Sequence, residues 1–399
     1  MFDVNIFMVK KKVLVWLSWW VDSAVSAALL LEQWYEVVWW FMKNYVSDKW
    51  NCTTFKDAEE AIKVAKFLWI ELLSFDLQKE YQERIIDYIF EWYSKWITPN
   101  PDVLCNNLIK FDVFLNKAME KWFDYIATWH YARILQQPLS PSDSSPDREQ
   151  NFSPVRGSGE AEGVDTQDSS SNTSEWQIRY HLLQWVDSWK DQSYFLSGLN
   201  QYQLSKSIFP LWEMTKQQVR QKAKKIWLPN AERRDSQGLC FIWNIPIRNF
   251  LMQKFPKNEW DILDLNGKKV WTHQWAYFYT IGQKQWLWLN FKAYVYRIDI
   301  ENNILYVTDK DAEELKTKTL IAKNWHWICP DMENEILNWS KNLSGKIRYR
   351  QIPAVPCSLE KMDNWDMKVT FEKEQWAVAP GQVFVAYDGD ECLWNGMIA

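Results

Sequence analysis

Glycine is the residue this sequence lacks. Its 399 positions hold 11 glycines, where average usage would supply about 28. No apolar run is long enough to cross a bilayer as a helix, so a membrane partner is not expected. The six cysteines, at positions 52, 105, 240, 329, 357 and 392, form no C-x-x-C pair and no zinc-ligand spacing. No metal site is therefore expected, and reduced thiols are the default. Residues Met1 to Lys12 lack the sustained apolar core of a signal peptide, which leads to the expectation of a cytoplasmic protein.

Tryptophan fills the gap, with 29 copies. Trp34, Trp69 and Trp227 each follow a helical stretch and precede the next element, the place where a left-handed residue, normally glycine, ends a helix. An indole is poorly suited to positive φ. The pattern is that of a codon meaning glycine in the source and decoded as tryptophan, UGA being the ambiguous one.

From Lys11 to about Ile226 short β-type runs (Val13–Val15, Tyr35–Val38, Ile70–Phe75, Tyr125–Thr128) alternate with helical stretches such as Asp57–Leu68, where Ala61, Ala65 and Leu68 share a face. This alternation predicts an α/β fold with a doubly wound parallel sheet, whose ligand sits beyond the carboxyl ends of the strands. Residues 137–176, rich in Ser, Pro, Asp, Glu and Gly, read as a disordered insertion. They carry eight acidic residues against two arginines, which leaves the rest of the chain slightly positive despite a net charge of −5. After Cys240 a short helix (Asn249–Phe255) gives way to β-type runs at Ala276–Thr280, Tyr294–Ile300, Ile304–Thr308, Ile347–Arg350, Lys368–Glu372 and Gln382–Tyr387. A small central domain and a C-terminal β-barrel are expected, with boundaries at 1–241, 242–310 and 311–399.

Three constellations could carry chemistry. Ser18-Trp19-Trp20-Val21-Asp22-Ser23 lies where a strand runs into a helix, and amides at such a turn bind anions. Ser18 and Ser23 add hydroxyls, and Asp22 could help hold magnesium; the plain alternative is a capped βα turn. In Thr98-Pro99-Asn100-Pro101-Asp102-Val103-Leu104-Cys105-Asn106 two prolines stiffen a loop that holds a carboxylate three residues from a thiol. In Asp235 to Ile242, Cys240 follows Arg233 and Arg234, and neighbouring cations raise the thiolate fraction that sulfur transfer needs. Lys190-Asp191-Gln192, Thr128-Trp129-His130-Tyr131 and Lys346 to Gln351 are further polar clusters, the last predicted as a strand with Arg348 and Arg350 on one face and Tyr349 on the other.

Together these segments, with Val15–Ser23, Phe41-Met42-Lys43-Asn44, Ala127–Tyr131, Lys190–Leu196, Gly238–Ile242, Arg348–Gln351 and Pro380-Gly381-Gln382, resemble the bacterial tRNA-specific 2-thiouridylases in order and number. The resemblance implies a PP-loop (adenine-nucleotide α-hydrolase-like) domain that uses ATP with Mg2+ to adenylate the C2 oxygen of the wobble uridine of a tRNA. Sulfur from a cysteine persulfide, loaded by a sulfur-carrier protein, then gives 2-thiouridine. By position it implies ATP contacts at Trp16, Leu17, Ser18, Trp19, Trp20, Val21, Asp22, Ser23, Met42 and Trp129. It implies target-base contacts at Asn100, Pro101 and Asp102, and tRNA contacts at His130, Lys190, Asp191, Gln192, Arg348, Tyr349 and Gln382. Cys105 matches the nucleophile and Cys240 the persulfide carrier, linked by a disulfide in one of two possible sulfur-release routes. At positions 16, 19, 20, 129 and 243 this chain has tryptophan where the resembled family carries glycine, whereas Trp327 fits as tryptophan. Two other readings compete: another PP-loop ATP-dependent synthetase, or a catalytically dead tRNA-binding protein if the loop indoles are real. Sequencing the DNA tests the decoding: TGA is expected at codons 19 and 20, and TGG there would sink it.

Overall fold

Val13, Leu14, Val15, Trp16 and Leu17 are all buried, the signature of a strand covered on both faces. They form β1 (Lys12–Leu17) of a parallel sheet with β2 (Glu36–Met42), β3 (Glu71–Phe75) and β4 (Tyr125–Ala127). The computed structural model describes residues 9–17, 20–42, 54–95, 97–139, 178–233, 247–255, 259–273, 278–284, 291–299, 304–339 and 342–399, with isolated positions between them. After β4 the chain makes a hairpin of β5 (Arg133–Pro138) and β6 (Ile178–Leu183), then adds the short β7 (Ser207–Ile208). The parallel sheet has the order β3-β2-β1-β4-β7. The winding direction therefore reverses between β1 and β4, and a crevice opens beyond the ends of those two strands.

A four-stranded sheet follows, in the order β10-β11-β8-β9, from β8 (Trp260–Leu263), β9 (Lys269–His273), β10 (Tyr294–Asp299) and β11 (Ile304–Thr308). The last unit contains β12 (Lys316–Trp327), β13 (Leu343–Lys346), β14 (Val355–Lys361), β15 (Met367–Trp376), β16 (Val383–Asp388) and β17 (Glu391–Ile398). Pairing of β12 with β17 closes it into a barrel, and β6 extends it by pairing with β17. Trp327 and Trp394 lie buried in that barrel with centroids 5.8 Å apart, in line with Trp327 being a true tryptophan.

Several expectations change. Ile347–Arg350 is not a strand: β13 stops at Lys346, and the Gln351 side chain accepts from the Ile347 amide at 2.8 Å, folding the segment into a turn. Arg348 and Tyr349 are therefore not presented by opposite faces of a strand. The helix expected at Asn249–Phe255 is a short one at Ile247–Leu251. Of Ala276–Thr280, Phe278–Thr280 is described and is not strand, while 276 and 277 lie outside the described residues. The segment 137–176 starts inside β5, whose partner Ile178 faces Pro138; its residues 140–176 lie outside the described residues.

The helix ends carry the clearest signal. Trp34, Trp69, Trp122 and Trp227 all have positive φ, at 66°, 56°, 63° and 59°. Each is followed by an amide that reaches back to close a helix end: Tyr35 to the Leu30 carbonyl, Ile70 to Ala65, Phe123 to Ala118 and Leu228 to Ala223. That is the Schellman closure, whose left-handed residue is normally glycine. The four indoles are 75 to 94% exposed and bury almost nothing in return. Trp365, at φ 65°, repeats the pattern in the turn between β14 and β15. Replacing any of the four helix-end tryptophans by glycine should raise stability by about 0.5–1 kcal/mol, the relief of left-handed strain less the added freedom of the unfolded chain. Denaturant midpoints of the single and fourfold variants check this; unchanged or lower midpoints would count against glycine grammar at these ends.

Candidate active site at the ends of β1 and β4

The chain leaves β1 through residues 18 and 19, which lie outside the described residues, and enters the helix Val21–Glu32. Trp20 is its extended N-cap, and the Ser23 hydroxyl donates to the Trp20 carbonyl at 3.0 Å. The N-terminus and positive dipole end of this twelve-residue helix lie at the crevice. Asp22 sits there between Lys216, whose Nζ lies 2.6 and 2.7 Å from its two carboxylate oxygens, and the Tyr131 hydroxyl, which donates at 3.0 Å. The Arg233 guanidinium stacks 5.0 Å from the Trp20 ring. Two cations and a helix N-terminus form a donor set that fits a polyphosphate, and one carboxylate fits its magnesium. The Trp20 indole stands in the same space.

The expected nucleotide contacts divide by what their side chains do. Trp16, Leu17 and Val21 are buried in the core, with Trp16 edge-on to Trp40 at 4.5 Å and to Phe114 at 4.8 Å, so they can offer a ligand only backbone. The side chain of Met42 lies outside the described residues. Trp129, just past β4, stacks on His130 at 6.1 Å.

The segment that carries Asp102 and Cys105 is built from its cap. Asn100 caps the helix Pro101–Cys105, its Oδ1 accepting from the Val103 amide at 3.3 Å, and Pro101 occupies the first turn, where a missing N–H costs nothing. The helix continues as a π-helical stretch, Asn106–Val113, that presents Lys110 to the base of the site. Cys105 is buried, and Asp102 is on the same helix one turn earlier. Gln382 from the barrel donates to the Thr98 carbonyl at 2.8 Å, and the Thr98 hydroxyl meets that of Thr280, from the central unit, at 2.7 Å. Gly381, at φ +83°, comes so close that a Cβ would lie 2.9 Å from the Thr98 carbonyl oxygen.

The other expected tRNA contacts are mostly braces within this fold. Asp191 is 2% exposed; it accepts from the Trp185 and Ser193 amides and pairs with Lys346 of the barrel at 3.4 Å. Gln192 clamps Tyr131 by two bonds, at 2.8 and 2.9 Å, and so holds the hydroxyl that reaches Asp22. Arg348 donates to the Trp376 and Ala377 carbonyls, and burial lowers its pKa. Tyr349 packs on Phe195 at 4.4 Å, and burial pushes its hydroxyl up to about 12. His130 is buried, its Nδ1 2.8 Å from the Thr128 hydroxyl, and burial followed by the Lys110 charge holds it well below its ordinary value, in the neutral form. Lys190 is exposed. Cys240 lies outside the described residues. Burial raises the thiols of Cys329 and Cys392 and pushes Cys357 up to about 12, which disfavours their thiolate forms. Sequence reasoning passed over Lys110 and Lys216; for Lys110 the available signal was a lone lysine inside the apolar run Leu108-Ile109-Lys110-Phe111.

Three family profiles match the chain in succession. They are described as tRNA methyl transferase HUP domain (residues 11–244), tRNA methyl transferase PRC-barrel domain (248–309) and aminomethyltransferase beta-barrel domain (317–398). The tRNA-specific 2-thiouridylase MnmA of Methylobacillus flagellatus is 37% identical, over 98% of this chain and 99% of its own. Its namesake in Ralstonia nicotianae is 38% identical, over 98% and 96%. Among solved structures, the U34-tRNA thiolase NcsA of Methanococcus maripaludis is 20% identical at a TM-score of 0.23, over 30% of this chain and 39% of that one, too partial an overlap to bear on the site. With three profiles in order and identity sustained along both full lengths, the chain belongs to the tRNA-specific 2-thiouridylase family.

Proposed function

We propose that this protein is a tRNA-uridine 2-sulfurtransferase that replaces the C2 oxygen of a wobble uridine with sulfur. The single observation that carries this reading is the braced helix Pro101–Cys105, which bears a carboxylate and a thiol one turn apart in a chain whose first sheet has the strand order of a nucleotide-binding fold. The profile descriptions speak of methyl transfer, the full-length relatives of thiolation. A thiol nucleophile beside an anion site suits sulfur transfer.

A uracil carbonyl oxygen is a poor leaving group, so it must be activated before sulfur can displace it. The helix N-terminus at Val21, with Lys216 and Arg233, would bind the phosphates of ATP, and Asp22 would turn from Lys216 to the magnesium. The uridine oxygen attacks the α-phosphate and pyrophosphate leaves. The outer sulfur of a Cys240 persulfide, loaded by a carrier protein, attacks C2 and AMP departs with the oxygen. Cys105 attacks the inner sulfur of Cys240 and closes a Cys105–Cys240 disulfide. That step either leaves the outer sulfur on C2 or, when it comes before the attack on C2, frees hydrosulfide to displace AMP instead. A thiol reductant reopens the disulfide, while Asp102 handles protons or positions the base. Asn100 and Pro101 fix where that base meets the helix. Asp191, Gln192, Arg348 and Gln382 serve tRNA binding by holding the surfaces around it, with Lys190 and Arg350 offering exposed charge.

A second reading rests on Trp20 and Trp129, whose rings stand in the crevice: with real indoles the protein binds tRNA and does no chemistry. Comparing ATP binding by the protein as written with a Trp19→Gly/Trp20→Gly variant separates the two. Tighter binding by the variant is expected, by about ten-fold or more, and equal binding would remove both the miscoding account and the dead-site reading. In the glycine variant, Cys240→Ser should abolish 2-thiouridine formation, read by mass spectrometry of tRNA nucleosides, while leaving tRNA affinity in filter binding unchanged. Full thiolation by that variant would overturn the persulfide assignment.

A further inference from the structure

Lys110 is 5% exposed, yet the described structure gives its charge no carboxylate. Its Nζ donates to Asn106 Oδ1 at 2.8 Å and lies 3.5 Å from His130 Nε2. Asn106 is itself fixed, donating to the Phe195 carbonyl at 3.0 Å, and His130 is held by the Thr128 hydroxyl at 2.8 Å. A neutral His130 whose Nδ1–H donates to the Thr128 hydroxyl has an Nε2 lone pair to accept from the ammonium, which has no acceptor of its own. Two of the three N–H groups of Lys110 are thus assigned to neutral acceptors. What remains near the ammonium is the ring of Trp129, 5.4 Å to its centroid. Neutral partners soften the burial of a charge without cancelling it, so an interior cation of this kind is completed by an anion.

Trp129 stands at the end of β4, on the crevice, at one of the positions where glycine is expected. Removing that ring opens the space beside the ammonium toward the nucleotide site. We propose that Lys110 is a buried phosphate ligand of the thiolation site, its third N–H bonding a phosphoryl oxygen of the bound nucleotide in the space the Trp129 ring now fills. This rests on the ATP reading of the crevice given above. Asn106 and His130 act as positioning residues: they hold the ammonium aimed before the nucleotide arrives. The lysine also lies on the same continuous helix as Cys105, so the group that binds the phosphate and the thiol that releases sulfur share one rigid support.

The test uses the full-length chain carrying Trp19→Gly, Trp20→Gly and Trp129→Gly, and the same chain with Lys110→Met or Lys110→Gln. Titration calorimetry with Mg·ATP and, separately, with adenosine gives the readout. Both Lys110 variants should lose about ten-fold or more in ATP affinity and keep adenosine affinity within about two-fold, since adenosine has no phosphate to contact. Undiminished ATP binding by either variant overturns the proposal. So does an equal loss of ATP and adenosine in both, which would mark Lys110 as a cation that only holds the fold. If the parent itself binds no ATP, the nucleotide reading of the crevice falls first, and this one with it.

Discussion

The brace on Thr98 is the constraint on which the site depends. The helix that begins at Pro101 runs on through the π-helical stretch to Val113, so what has to be fixed is its entry, the proline-bounded approach at Thr98 to Asn100. Here its approach is gripped from two sides, by Gln382 of the barrel and Thr280 of the central unit, with Gly381 allowing the close contact. The approach to the Cys105 thiol is therefore held by residues 182 and 284 positions from Thr98 in the chain. Separate the barrel from the catalytic sheet and Asp102 and Cys105 lose their frame of reference.

The barrel is in turn tied to the catalytic sheet by polar contacts in its interior. Asp191 and Lys346 pair where neither reaches water, Tyr194 donates to the Val383 carbonyl at 2.6 Å and Asn395 to the Ser197 hydroxyl at 3.0 Å. Such groups are costly to bury and worse to orphan, so they specify one docking arrangement. This explains why several residues that resemble tRNA contacts turn inward: Asp191, Arg348 and Gln382 spend their polar groups on contacts within the fold.

The sheet was legible because its signals are local. Alternating apolar runs and helices placed β1 to β4, and β10, β11, β15 and β16 emerged from the same kind of pattern. The hairpin β5–β6 was not legible, since its value comes from pairing with β17 some two hundred residues later. Ile347–Arg350 failed for the opposite reason: its alternation is real, but the Gln351 side chain competes for the backbone. At the site, the loop expected over Thr98 to Asn106 ends at Asn100, whose side chain caps a helix that carries Asp102 and Cys105, and Lys110 and Lys216 gain meaning only once distant elements converge. Tryptophan at the helix ends was legible as an anomaly, and the positive φ values at Trp34, Trp69 and Trp227 match what the sequence implied.

The hairpin of β5 and β6 has one more consequence, for how the gene can change. Pro138 and Ile178 face each other across a strand pair, so everything between them begins and ends about 5 Å apart. Closing a loop over so short a span costs only about 0.6 kcal/mol more for each doubling of its length. Rungs of the ladder from Arg133 to Pro138 fix both ends before the loop begins, which insulates the crevice from whatever is spliced in. The end of this strand pair is a port in the architecture: a place where chain can be lengthened, shortened or recharged without the β5–β6 ladder being disturbed.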